Sequence, residues 1–553
     1  MVTFEESKQQ KKLGEIRKKE EEDTIKIIAT KYKLPYQNLL TIPVDIDALR
    51  IVPIEDAKAG GLAVVQRVGK NLQIAVRNPT KNETKKILED LTRQRFTYTL
   101  FMVSGQGLEH AWEMYKQIPK ELVVIEGEIK ISEAKIEEFE KNIRSFEAIS
   151  KLLEYVSEKS ITEALEIIIG GSLAIDASDV HVEPQPEGAR LRYRLDGTLH
   201  DLTIITKTMY KFILSRIKLT SGLKINVHNQ GQDGRFTIKM REAEVEVRTS
   251  TLPGPYGENI VLRILNPKTI SLELENLGMQ PWVEEQMAEE IAKPNGMILT
   301  TGPTGSGKTT TLYAFLKKVH NPEIKIITLE DPIEYHLKGV EQTQIDAKRG
   351  YDFASGLRSI LRQDPDVILL GEIRDIETAE TSMHAALTGH LVFSTIHTNN
   401  AAGTIPRLID IGVRPNIIAP AINVVMAQRL LRKLCVACKK EHSLSAAELK
   451  LTKEEIENLP ENIKKPDIKS AKIYEPSIAG CERCRNTGYK GRIGVFEIFL
   501  INDSVEGLIL ASPSVSEIKK AMFDQGQITI KQDGTLKVLA GITDFEELKK
   551  VVG

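Results

Sequence analysis

The sequence predicts a multidomain α/β protein whose largest part is a mostly parallel sheet flanked by helices. Three observations predict it. A chain of 553 residues is too long for one hydrophobic core. Between about residues 271 and 430, short apolar runs alternate with helical stretches, the pattern of parallel strands joined by crossover helices. A glycine-rich phosphate-binding sequence stands between one of these runs and the helix that follows it. Hydrophobic residues at 41% and charged residues at 27% are the balance of a globular chain, not of a disordered or fibrous one.

After a charged segment, 1–22, residues 23–118 read as an N-terminal α/β domain. Its first helix, 23–33, ends at Leu34-Pro35 because proline disfavours helical geometry in the residue before it. Apolar segments such as 72–76 then alternate with turns such as Asn78-Pro79. Residues 119–150 read as a helical linker: glycine is nearly absent from about 126 to 169, and Ile136, Phe139, Ile143 and Phe146 recur at helical spacing. That helix either links domains, binds a partner or packs on its own domain. A second, smaller α/β domain is expected over 151–270, with strands at 189–195 and 244–248 and turns at Asp196-Gly197 and Asp233-Gly234. The remaining 271–553 form a nucleotide-binding domain that includes a cysteine-bearing insertion, 435–484. Its strands are expected at 296–300, 325–329, 367–370 and 391–395.

Charge and hydropathy exclude two classes. The 75 basic and 77 acidic side chains leave a formal charge of −2, so the basic footprint of a nucleic-acid motor is missing and no direct nucleic-acid partner is expected. No apolar run approaches the roughly 20 residues that span a bilayer, and the N-terminal segment has no apolar leader core, so a cytoplasmic protein is expected.

The phosphate-binding sequence is Gly302-Pro303-Thr304-Gly305-Ser306-Gly307-Lys308-Thr309, followed by Thr310, and it fits G-x-x-x-x-G-K-[ST] at every fixed position. Glycines let such a loop turn its N–H groups to phosphate, the following helix adds its dipole, the lysine reaches the β- and γ-phosphates, and the Thr309 hydroxyl suits Mg²⁺. ATP and Mg²⁺ are therefore the expected ligands. Such a site also needs carboxylates to hold the metal's water and to activate the attacking one. Glu330 and Glu372 each stand at the end of an apolar strand run. His390 and His397 flank a third run, at opposite ends of it, so that one nears the phosphates and the other a neighbouring element. The four cysteines fall in two C-x-x-C pairs, Cys435/Cys438 and Cys481/Cys484, a spacing that can close a tetrahedral structural Zn²⁺ site.

These residues resemble one family, the hexameric ATPases of type II secretion and type IV pilus assembly. Residues 327–335 (ITLEDPIEY) look like its aspartate box, 361–375 (LRQDPDVILLGEIRD) like its Walker B segment, and 388–398 (TGHLVFSTIHT) like its histidine box. Residues 177–184 (ASDVHVEP), 190–197 (RLRYRLDG) and 245–253 (VEVRTSTLP) are similar to its second N-terminal domain. The resemblance implies a RecA-like core and a PAS-like second domain. It also implies that Glu330 polarises the attacking water, Glu372 serves the Mg²⁺ side and both histidines sense the γ-phosphate, with the base left open between the two acids. Arginines of the second domain are implied to approach nucleotide, Arg194 and Arg216 first and Arg248 and Arg263 behind them, since a guanidinium forks over two phosphate oxygens. The chain departs from the family at Val227-His228-Asn229-Gln230-Gly231, where basic residues and a proline are usual. The tetracysteine insertion resembles that of the assembly branch. The implied whole is a homohexamer that turns ATP hydrolysis into pilin polymerisation through an inner-membrane platform protein and cytoplasmic ring proteins, peripherally bound to the membrane. The alternatives are a type II secretion pseudopilus motor, a DNA-translocating ATPase and a regulatory nucleotide-binding protein.

Overall fold

A computed structural model describes residues 21–40, 44–68, 70–117, 128–130, 133–143, 145–156, 161–239, 244–266, 272–468 and 471–553. Most of the charged N-terminal segment and residues 119–127 of the expected linker lie outside these. The chain divides into two units, Met1–Val123 and Val124–Gly553. In the first, a three-stranded sheet runs in the order Leu62–Val68, Asn71–Val76, Thr97–Met102. A helix over 21–32 packs into its core through Ile25 and Ala29, and the chain leaves it through Lys33 at φ 55, two residues before the proline.

In the second unit the first body is a seven-stranded sheet. Its order is Glu128–Lys130, Gln232–Lys239, Glu244–Gly254, Gly257–Leu265, Asp179–Gln185, Gly188–Leu195, Thr198–Ile205. Gly188–Leu195 alternates buried and half-exposed positions, so Leu191 and Tyr193 enter the core while Arg190, Arg192 and Arg194 share the other face. The helical stretch expected before it is broken. A strand, Glu128–Lys130, pairs with Thr237–Lys239, and helices Glu133–Asn142, Phe146–Tyr155 and Ile161–Ala174 follow. Ser145 makes one of the breaks by accepting a bond from Ala148 N as an N-cap. Phe139, Ile143, Ile149 and Leu153 are buried in the core of this body, so the described part of the expected linker is packed structure.

The second body of this unit is a seven-stranded sheet in the order Glu341–Gln344, Ile326–Glu330, Val367–Leu370, Leu391–Ile396, Gly296–Thr301, Ile422–Leu434, Tyr489–Leu500. The first six are parallel and the last is antiparallel. The four expected strands fall within a residue of their observed limits. They were readable because a sheet covered on both faces turns its strands into continuous apolar runs. One face packs on a core that includes Leu329, Leu370 and Ile418, the other on one that includes Leu312, Phe315 and Phe393. Parallel direction brings the C-terminal ends Thr301, Glu330, Leu370 and Ile396 to one edge, where ligands of open α/β sheets bind. The mixed α/β architecture is thus as expected. The cysteine insertion hangs on the hairpin made by the last two strands, with a small sheet, Lys440–His442 on Ile473–Glu475, and a helix Ala446–Glu457 started by a Ser445/Glu448 capping box. No helix among the described residues is long and apolar enough to cross a membrane.

Candidate active site

The phosphate loop leaves the strand Gly296–Thr301 and enters the helix Lys308–Val319. Gly302 stands at φ 149, where a Cβ would lie 2.6 Å from both the Gln428 carbonyl oxygen and Ser306 Oγ, so no side chain fits. At the crest Pro303, Thr304 and Gly305 are exposed, and Gly305, at φ 80, has nothing within 4 Å of a Cβ. Ser306 is buried, and its hydroxyl has no hydrogen-bond partner among the described residues. Lys308 Nζ donates to the carbonyls of Gly302 at 2.8 Å and Pro303 at 3.2 Å. Burial holds its pKa below the ordinary lysine value, Glu372 opposes that shift and Arg429 adds to it. Thr309 and Thr310 are half-buried in the first helical turn.

The acids at this edge differ in surroundings. Glu330 is buried, 4% exposed. Its carboxylate accepts bonds from the Tyr313 hydroxyl, from Thr328 Oγ1 at 2.6 Å and from Gln342 Nε2 at 3.1 Å. Burial and the Glu330 charge together push the Tyr313 phenol well above its usual range. Glu372 stands two residues beyond its strand and pairs with Arg374 and, at 3.4 Å, with His397 Nε2. The loop that carries His397 is tied to the phosphate-loop strand: Thr301 Oγ1 donates to Thr398 O at 3.0 Å and accepts from Thr398 N at 2.8 Å.

Two of the expected site residues, His390 and Arg194, are engaged elsewhere within this chain. His390 pairs at the register of Gly296, its Nδ1 lies 3.0 Å from Ala385 O at a helix C-terminus, and it stands at the far end of the strand from the phosphate loop. His397, the residue after the strand, stands at the phosphate-loop end. Arg194 is bound within its own body, to Asp179 at 3.2 Å and to Gly197 O at 3.0 Å, and Arg263 shares Asp179 at 3.2 Å. Arg216 lies half-buried on the helix Lys207–Thr220. The second-domain arginine that meets the acidic loop is Arg248, which donates to Glu334 Oε2 at 2.9 Å and to the Ile333 carbonyl. Tyr313, Gln342, Gln428 and Arg429 were not singled out from sequence. Tyr313 was within reach of it, being four residues after Thr309 and so on the same helix face.

In the insertion all four cysteine sulfurs lie within 4.8 Å of one another, with Cys435–Cys481, Cys438–Cys484 and Cys481–Cys484 each at 3.7 Å. Zn–S bonds of about 2.3 Å place tetrahedral sulfurs about 3.8 Å apart, so the set fits zinc. Cys481 N and Gly488 N donate to Cys484 Sγ at 3.1 and 3.3 Å. Hydrogen bonding with the Cys484 backbone pulls the Cys481 thiol down to about 7.

A family model described as "Type II/IV secretion system protein" matches residues 154–550. "Type II secretion system protein E" of Dickeya dadantii is 41% identical over 400 residues, 72% of this chain and 77% of that protein. "Type IV pilus assembly ATPase PilB" of Myxococcus xanthus is 33% identical over 531 residues, 96% of this chain and 91% of that protein. The solved ATPase DotB of Legionella pneumophila shares the fold at 20% identity and a TM-score of 0.50, covering 70% of this chain and 94% of that one. The chain belongs to the type II/IV secretion system protein family and is an ATPase of its secretion and pilus-assembly class.

Proposed function

We propose that the chain is the hexameric motor of type IV pilus assembly, hydrolysing Mg²⁺-ATP to drive pilin polymerisation through an inner-membrane platform protein and its cytoplasmic ring partners. The observation that carries the hydrolytic part is the meeting, at one sheet edge, of the phosphate loop, Glu330, Glu372 and His397. In this reading residues 302–307 cradle the phosphates with Lys308, and Thr309 with Glu372 serves the Mg²⁺ that neutralises phosphate charge. Glu330, aligned by three donors, orients the attacking water, and His397, in reach of Glu372, reports the γ-phosphate. The bond from Arg248 to Glu334 gives the second domain a grip on the segment that follows Glu330, so domain movement and the hydrolytic acid are mechanically joined. Arg194 and Arg216 keep a role only toward the nucleotide of a neighbouring copy. The four cysteines hold zinc as a structural clamp. Metal analysis before and after chelation tests this, and a folded insertion containing no zinc overturns it.

Support for pilus assembly over a secretion pseudopilus comes from the Myxococcus xanthus pilus relative, which aligns over 96% of the chain against 72% for the secretion relative. Attachment from the cytoplasmic face of the membrane through partners is in keeping with the lack of a spanning helix among the described residues. The test is steady-state ATP hydrolysis together with mass in solution, with and without Mg²⁺, followed by restoration of pili in a strain deleted for the gene. A monomer without Mg²⁺-dependent turnover contradicts the motor, and restored secretion without pili moves the chain to the other branch.

A further inference from the structure

The strand Ile422–Leu434 runs beside the phosphate-loop strand, with Thr301 level with Ala427, so residues 428 and 429 project one step farther and pass beneath the loop. Gln428 is 2% exposed, and its Oε1 accepts from Thr311 Oγ1 at 2.8 Å on the phosphate-loop helix. Arg429 is half-buried. Its Nη1 donates to the Gln428 carbonyl at 2.9 Å and its Nη2 to the Asn399 carbonyl at 2.6 Å. A Cβ on Gly302 would lie 3.0 Å from that same Nη1. The guanidinium is therefore wedged between the base of the phosphate loop and the 397–403 loop that begins with His397.

The far side of that loop is held from below. Glu497, 6% exposed, accepts from Ala401 N at 2.8 Å through Oε1 and from Ile530 N at 3.4 Å through Oε2, at the start of the helix Ile530–Leu539. Arg429 and Glu497 both line a cleft of about 840 Å³ between the sheet and the C-terminal helices. Burial lowers the pKa of Arg429 and Glu497 opposes the shift, so a cation is kept in a place where it is costly. Both hydrogen bonds the structure gives this guanidinium end on backbone carbonyls, which is the geometry of a brace.

We propose that Arg429 is a positioning residue for hydrolysis: by bridging the carbonyls of residues 428 and 399 it sets the spacing between the phosphate loop and His397, without touching nucleotide itself. The proposal rests on the reading that this edge is the hydrolytic site. A guanidinium suits the task because its planar fork reaches two acceptors in fixed directions, whereas a lysine ammonium is a point charge on a flexible stem.

The experiment uses the full chain and compares Arg429→Ala, Arg429→Lys, His397→Ala and the double variant Arg429→Ala/His397→Ala with wild type. It measures kcat, the Kd of a fluorescent ATP analogue with Mg²⁺, and Tm. The expected result is a fall in kcat of about 10- to 100-fold in both Arg429 variants. Kd should stay within about threefold, and the double variant should lose no more than the worse single one, because residues acting through one another are not additive. Turnover at the wild-type level in Arg429→Lys overturns the brace, because charge alone then suffices. Additive losses in the double variant, a His397→Ala enzyme as fast as wild type, or a Kd that weakens in step with kcat overturn it as well. Where Arg429→Ala does not fold, Arg429→Lys and its double with His397→Ala carry the same comparison. Wild-type protein without Mg²⁺-dependent turnover refutes the hydrolytic reading first, and the brace with it; an active wild type with unaffected Arg429 variants refutes the brace alone.

Discussion

Glu330 and Glu372 end neighbouring parallel strands at the same sheet edge, yet the protein treats them in opposite ways. Glu330 is buried and its carboxylate is engaged by Tyr313, Thr328 and Gln342, all neutral donors. Glu372 is more open, pairs with the Arg374 guanidinium, lies 3.4 Å from His397 Nε2, and raises the pKa of Lys308 against its burial. Neutral donors fix direction and leave the negative charge in place, whereas cationic partners compensate it and can exchange it for Mg²⁺ or phosphate. A carboxylate held by hydroxyls and an amide suits orienting a water. One paired with an exposed guanidinium suits a site whose charge changes with nucleotide.

The largest effect should come from the phosphate loop's own cation. Lys308→Ala removes the cation beneath the phosphates and should cut turnover by about 10²- to 10³-fold, in step with lost binding of labelled ATP. Retained turnover would put the phosphate site elsewhere. Glu330→Gln and Glu372→Gln should each leave ATP bound but unhydrolysed, and a thermal melt separates them. At position 330 the new amide NH₂ faces one of three donors, a buried mismatch costing about 1–3 kcal/mol. At 372 the side chain is half-buried but its partners Arg374 and His397 are exposed, so the cost should be smaller, at most about 1 kcal/mol. Equal melting temperatures for the two variants would break the contrast. Tyr313→Phe takes a single donor from Glu330 and should cost about 1 kcal/mol, with a smaller loss of turnover than Glu330→Gln.

The smallest effect is in alkaline stability. The pKa of Lys308 is lowered in the folded chain, so below that folded value its burial penalty is fully present. As pH rises from there toward 10.5, the unfolded chain holds the extra proton and folded stability gains. Lys308→Met should flatten this rise in urea midpoints. Glu372→Gln, which removes the charge opposing the shift, should enlarge the rise, and Glu330→Gln should leave it unchanged.

Much of this site is legible in the amino-acid sequence. The phosphate loop, both acids and the four strands could be read because a strand buried on both faces, followed by glycine or acid, is a local pattern. The arginines were not readable in this way. Arg194 and Arg248 both stand in strands of alternating burial; strand register sets the one opposite Asp179, and only the packing of the two bodies brings the other to Glu334. His390 and His397 belong to one motif, but strand direction sends them to opposite edges.

By itself, then, the sequence determined the α/β class, the phosphate-binding loop, the strand ends that carry the acids and the paired cysteines, since each depends on residues a few positions apart. Tertiary structure alone decided which histidine and which arginine meet the loop, which three donors align Glu330, and that Arg429 lies under Gly302. Those facts depend on strand order and register, which bring together residues as far apart as Asn399 and Arg429 or Arg248 and Glu334, and no local spacing encodes a distance between such partners.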